Sequence, residues 1–261
     1  KYYIALKGLD SKLSFQTPKS TGNVATTGIG FQPEALIGLM NGRATSITHN
    51  YNLFGGVGFA TAEDQNSGSF FDDWGSNPIV NGRYKSSSYF AHQAWINSTL
   101  LYRASLSSFD PDGFTLNYDQ LSGTERTFPV LAFKEKTPDS SKLYIESGQL
   151  ALSGTHPFSV TGLSQKPDLV LFQYISRIHN SANTGLYSFG AVDKNLNQFA
   201  VACRMSHNVT TTYTKRWCSE RCVAGAISGS GTVNAETTVT SMNDDGFTVV
   251  SSSYPDTTER Y

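Results

Sequence analysis

Four residues have the types and spacing to hold a metal. Cys203, His207, Cys218 and Cys222 form C-x3-H-x10-C-x3-C, and zinc takes four such ligands. Against this, Cys203 belongs to the alternating run Phe199, Val201, Cys203, Met205, where a small buried apolar residue is wanted. The first half of the chain has no Cys or His at matching positions. A Cys218–Cys222 or Cys203–Cys218 disulfide is the stronger expectation, with one thiol left over. No metal and no cofactor is expected.

The turns Asp110-Pro111-Asp112-Gly113 and Asn243-Asp244-Asp245-Gly246 could offer oxygens to calcium. Each gathers only two or three side-chain oxygens, so turns held by Asx hydrogen bonds are expected instead. Phe70, Phe71, Asp72, Asp73 and Trp74 read as an exposed loop, either a sugar-stacking site or a plain solvated tip. The histidines His49, His92, His156, His179 and His207 sit in unrelated contexts. No G-x-S-x-G, H-E-x-x-H or P-loop element occurs, and only folding could assemble a pair of glycosidase carboxylates. The chain is therefore expected not to be an enzyme. Asn97-Ser98-Thr99 and Asn208-Val209-Thr210 are glycosylation sequons.

The elements that would position these groups are short strands. The 261 residues are 16% charged and 12% aromatic, with 23 Gly. Turn signals recur closely and no amphipathic helical period lasts beyond two turns, which points to an all-β sandwich or barrel. The net charge of −1 includes no basic stripe, so nucleic-acid binding is not expected. No apolar run approaches the roughly 20 residues of a membrane-spanning helix, and no membrane insertion is expected. The first residue is Lys1, so the chain is read as processed or as part of something longer.

An internal repeat organises the strands. Thr27-Gly28-Ile29 to Ile37 matches Thr161-Gly162-Leu163 to Leu171; Gly58-Phe59-Ala60 matches Ser188-Phe189-Gly190; Ser108 to Leu116 matches Ser241 to Val249. The offsets are 134, 130 and 133 residues. Asp-Gly-Phe ahead of alternating apolar residues is a hairpin signal, and Phe114, Leu116 and Tyr118 have the period of a half-buried strand. The runs Ala35–Met40 and Leu169–Ile175 suit buried strands, each following a Pro that belongs at a strand start.

The repeat is also split. Thr124 to Lys134 reads TERTFPVLAFK, and the last four residues joined to the first seven read TERYKYYIALK. The expected organisation is a strand at 1–7, a first jelly-roll-like β-sandwich at 8–134, a linker at 135–142, and a second sandwich at 143–261 without its last strand. Residues Tyr2, Tyr3, Ile4, Ala5 and Leu6 would supply that strand. They would reach the second sandwich of the same chain, that of a neighbouring copy, or that of a preceding repeat, with Gly8 to Lys12 as a hinge. The latter two arrangements give head-to-tail contacts, and these make rings or filaments.

Tyr3 to Gly8, Gly30 to Ile37, Gly58 to Ala60 and Asp112 to Leu116 stand in an order that resembles repeats of bacteriophage and prophage virion proteins. The second sandwich departs from it at Ser164-Gln165 and at Ser188-Phe189-Gly190. The resemblance implies a β-rich surface or fibre component and transfers no catalytic residue. The expectation is thus a structural protein of an extracellular or virion-surface fibre, with copies of itself as partners. The alternative is a carbohydrate-binding adhesin whose partner is a cell-surface glycan. The unlike segments 76–90 and 206–217 are the expected recognition loops.

Overall fold

The computed structural model describes residues 9–40, 53–73, 80–94, 100–122, 127–135, 157–175, 184–206, 214–227 and 232–252. All regular structure among them is β-strand, arranged in antiparallel sheets. The fold class is all-β and sandwich-like.

The first sandwich contains β1 (Leu9–Gln16), β2 (Gly22–Thr26), β3 (Ala35–Met40), β4 (Leu53–Thr61), β5 (Gln65–Asp73), β6 (Val80–Ser86), β7 (Ala91–Ala94), β8 (Leu100–Asp110), β9 (Gly113–Leu121) and β10 (Phe128–Glu135). One sheet runs β1-β10-β3-β4-β5-β6 and the other β2-β9-β8-β7. Alternation sets the faces. Phe114, Leu116 and Tyr118 on β9 are fully buried, and they meet Leu36, Ala60, Phe128, Val130 and Ala132 from the facing sheet.

The second sandwich contains β11 (Phe158–Val160), β12 (Leu169–Ile175), β13 (Thr184–Asp193), β14 (Gln198–Ser206), β15 (Thr214–Ser219), β16 (Ala224–Ile227), β17 (Val233–Asn243) and β18 (Gly246–Ser251). Its sheets run β12-β13-β14-β15 and β11-β18-β17-β16. These correspond strand for strand to β3-β4-β5-β6 and β2-β9-β8-β7. Val192, Val223, Val239 and Val249 fill one end of its core, and Tyr174, Leu186, Ala202 and Ile227 the other.

The correspondence reaches single hydrogen bonds. Ile29 N donates to Asp112 O, as Leu163 N does to Asp245 O. Ser108 Oγ and Thr115 Oγ1 both donate to the Asp110 carboxylate; Ser241 Oγ donates to Asn243 Oδ1 and Asn243 Nδ2 to Thr248 Oγ1. A Cβ on Gly113 would run into Thr26 O, and one on Gly246 into Val160 O. The middle sequence landmark is displaced by two residues. Ala35 pairs with Thr61 and Leu169 with Asp193, so Gly58 corresponds to Gly190 rather than to Ser188. In both sandwiches that glycine admits a neighbouring carbonyl, from Phe90 or Val223.

One difference separates them. In the first sandwich β10 lies between β1 and β3, with Val130 opposite Gly38 and Ala132 opposite Leu36. Among the described residues nothing pairs with the equivalent side of β12.

Candidate assembly interface

Three sequence expectations need correction. Phe199, Val201 and Cys203 do share a face, but it is the outer one. They pair with Ala191, Phe189 and Tyr187, while Ala200 and Ala202 point into the core. Second, no disulfide joins the cysteines. Cys218 pairs with Val201 and Cys203 with Arg216, so the two thiols are diagonal neighbours. Diagonal Cα atoms stand roughly 7–8 Å apart, beyond ordinary disulfide reach. Cys222 is fully buried, and burial pushes its thiol up to about 11, whereas Cys218 is exposed. His207 lies outside the described residues, and among those described no three potential ligands surround one point. Third, residues 70–73 are the end of β5 rather than a loop. Phe70 and Phe71 are buried and offer no free ring face to a sugar. Trp74 lies outside the described residues, as do Tyr2, Tyr3, Ile4, Ala5, Leu6, the linker beyond Glu135 and both sequons. Within the two expected recognition loops, 80–86 is β6, 214–217 belongs to β15, and 207–213 lies outside the described residues.

The acidic turns are clasps. Asp112 accepts from Gly28 N at 2.9 Å and Gly30 N at 2.6 Å, which holds its carboxyl below the usual range. Asp245 accepts from Gly162 N at 3.3 Å. Gly28, Gly30 and Gly162 have φ of 78°, 87° and 86°, which glycine adopts without strain.

Two clusters in the first sandwich had no signal in the sequence, because their members are scattered along it. Ser67 Oγ donates to Tyr89 O at 2.6 Å and lies 2.8 Å from His92 Nδ1. With the hydroxyl hydrogen committed to that carbonyl, the ring supplies Nδ1–H to the serine oxygen. Both residues are buried. Burial lowers His92 to about 4, the Tyr84 backbone carbonyl nearby opposes this in part, and the Arg103 charge adds a smaller lowering. The ring is therefore neutral at pH 7. At the surface Arg103 forks onto Asp119, with Nε–Oδ1 at 2.8 Å and Nη2–Oδ2 at 2.7 Å, and stacks over Tyr89. That guanidinium holds the Asp119 carboxyl below its usual range.

The two sandwiches meet through outer sheet faces. Gln173 Nε2 donates to Gly68 O at 2.6 Å. The rings of Phe70 and Tyr187 lie 4.7 Å apart between centroids and tilted by 42°, an arrangement worth about 0.5–1.5 kcal/mol beyond area burial. A Cβ on Gly68 would run into Ile175 Cδ1 and lie 2.9 Å from Gln173 Cδ. Burial raises the Tyr187 hydroxyl above its usual range, opposed by its hydrogen bond with Gln173. The contact is unlike on its two sides: β5 of one sandwich sits on β12 and β13 of the other, and the latter are the equivalents of β3 and β4. No protein-family model, curated protein or solved structure matches the chain.

Proposed function

We propose that this chain is a structural building block of an extracellular or virion-surface fibre, with copies joined head to tail by β-strand complementation. The observation that carries the reading is the edge of β12. Its counterpart β3 has β10 beside it, whereas β12 has no partner on that side among the described residues. Residues 1–7 carry the sequence pattern of β10. Aligned on it, Tyr3 and Ala5 take the places of Val130 and Ala132, which are fully buried, and Ile4 and Leu6 those of Leu131 and Phe133.

The registers Val130–Gly38 and Ala132–Leu36 then become Tyr3–Phe172 and Ala5–Val170 across two copies. Main-chain hydrogen bonds supply affinity in such a joint, and the alternate side chains supply register. An uncovered strand edge is otherwise an aggregation hazard.

A labelled peptide of residues 1–8 added to the chain lacking residues 1–7 tests this. Saturable binding is expected, and Ala5→Asp in the peptide should abolish it, because that side chain would face the core. A peptide that does not bind, or binds equally with Asp at position 5, contradicts the reading.

A further inference from the structure

Each sandwich carries two outer-face patches, and the contact inside the chain uses one from each. The first sandwich contributes its β5 patch, Gly68 and Phe70. The second contributes its β12–β13 patch, Gln173, Ile175 and Tyr187. Two equivalent patches are left over. By register, Gly68 and Phe70 correspond to Val201 and Cys203 on β14, and Gln173 and Tyr187 correspond to Leu39 and Gly55 on β3 and β4.

The Leu39 patch is apolar, and the Val201 patch is apolar apart from the exposed Arg216 beside Cys203. Val201 is 37% exposed and Leu39 53% exposed. Leu39 pairs with Val57 and Val57 with Gly68, so the Leu39 patch continues directly from the buried contact. The same face extends to β1, where Leu13 and Phe15 are 54% and 65% exposed. Monomeric proteins rarely leave a large contiguous apolar surface open without a use for it.

We infer that the β14 face around Val201 docks on the β3 face around Leu39 of a second copy of this chain. A contact between unlike patches leaves one patch of each kind unused in a pair of copies, so it propagates from copy to copy into a ring or a filament. The inference rests on the head-to-tail reading and agrees with it in geometry. Inside the chain, the β5 face of the earlier sandwich covers the β3-type face of the later one. Between copies, the second sandwich, completed by residues 1–7 of the next chain, would place its β14 face on the β3 face of the sandwich those residues lead into. The contact inside the chain holds both rings, Phe70 and Tyr187, whereas the second contact has Cys203 and Gly55 in their places and Val201 and Leu39 in the places of Gly68 and Gln173. Phe70 crosses over Gly55 in the first sandwich, whereas in the second the ring stands on β13 as Tyr187, opposite Cys203.

The test uses the full chain carrying Leu39→Lys or Val201→Asp, compared with wild type by sedimentation velocity over a dilution series. Both positions face solvent, and an unchanged thermal melt shows that each variant folds. Each variant alone should remain monomeric at concentrations tenfold above those at which wild type assembles. An equimolar mixture should assemble again, since it creates a Lys–Asp junction at one contact and leaves the other native. If wild type assembles and both variants do so equally well, this surface is wrong and head-to-tail assembly by the strand stands. If wild type itself stays monomeric throughout, the inference and the head-to-tail reading both fail. If the variants dissociate but their mixture does not recover, the two faces are not each other's partners and the inference is overturned.

Discussion

His92 marks the sharpest difference in chemistry between the two sandwiches. It and Ser67, Ser69 and Gln93 are buried polar residues, whereas Gly225, Ala200, Ala202 and Ala226 occupy the equivalent places. Trp217 fills the space over Gly225, and in the first sandwich Tyr84 meets the His92 ring edge-on. The folded-state value of about 4 lies below the ordinary 6.5, so below that ordinary value the unfolded chain binds the proton more readily. The stability this gives is fully present above about pH 6.5 and is lost as pH falls through about 4, by roughly 3 kcal/mol in all. Urea midpoints for wild type and His92→Gln should diverge in slope across that window; parallel profiles would show that the ring is not held neutral. Gly68 gives a second test at this scale. Gly68→Val should separate the sandwiches at a cost of about 1–3 kcal/mol, seen as a larger radius of gyration in solution scattering, while each core stays intact. An unchanged radius would mean that the contact does not hold them together.

At the scale of elements, both sandwiches bridge their sheets in the same way. β8 is irregular between Leu106 and Ser108, and β17 between Val239 and Ser241. At a bulge the extra residue leaves the ladder incomplete. Gln65 Oε1 accepts from Leu106 N at 2.8 Å, and Gln198 Oε1 from Val239 N at 3.1 Å. Gln65→Ala and Gln198→Ala should each cost about 1–3 kcal/mol by orphaning a partly buried amide, measurable by chemical denaturation; a loss below a few tenths would mean that water replaces the glutamine. Gly113→Ala and Gly246→Ala should destabilise by a similar amount, since the added methyl meets backbone rather than a movable side chain. The Asp-Gly-Phe hairpins, the alternating strand after them and the runs at Ala35 and Leu169 were legible because period and turn chemistry are local. The Gln bridges were not, because a bulge is visible only against its partner strand. The outward course of Phe199, Val201 and Cys203 was hidden for another reason. Alternation shows that residues share a face but not which face is the core, and on β14 the small alanines point inward because Trp217 occupies the space beside them.

For the whole molecule, one sheet of each sandwich, β1-β10-β3-β4-β5-β6 and β12-β13-β14-β15, carries apolar side chains on its outer as well as its inner face. That is why the two sandwiches dock, and why Leu13, Phe15, Leu39 and Val201 remain exposed. The all-β class followed from composition and turn spacing. The docking of one sandwich on the other could not, since it depends on Gly68 and Gln173, which are 105 positions apart. Head-to-tail assembly is tested most directly by the mass of the full chain in solution across a dilution series, with and without excess peptide of residues 1–8. Strand complementation predicts concentration-dependent oligomers, an open series or a closed ring, shortened toward monomer as the peptide occupies the β12 edge. A single mass at every dilution, indifferent to the peptide, would contradict it.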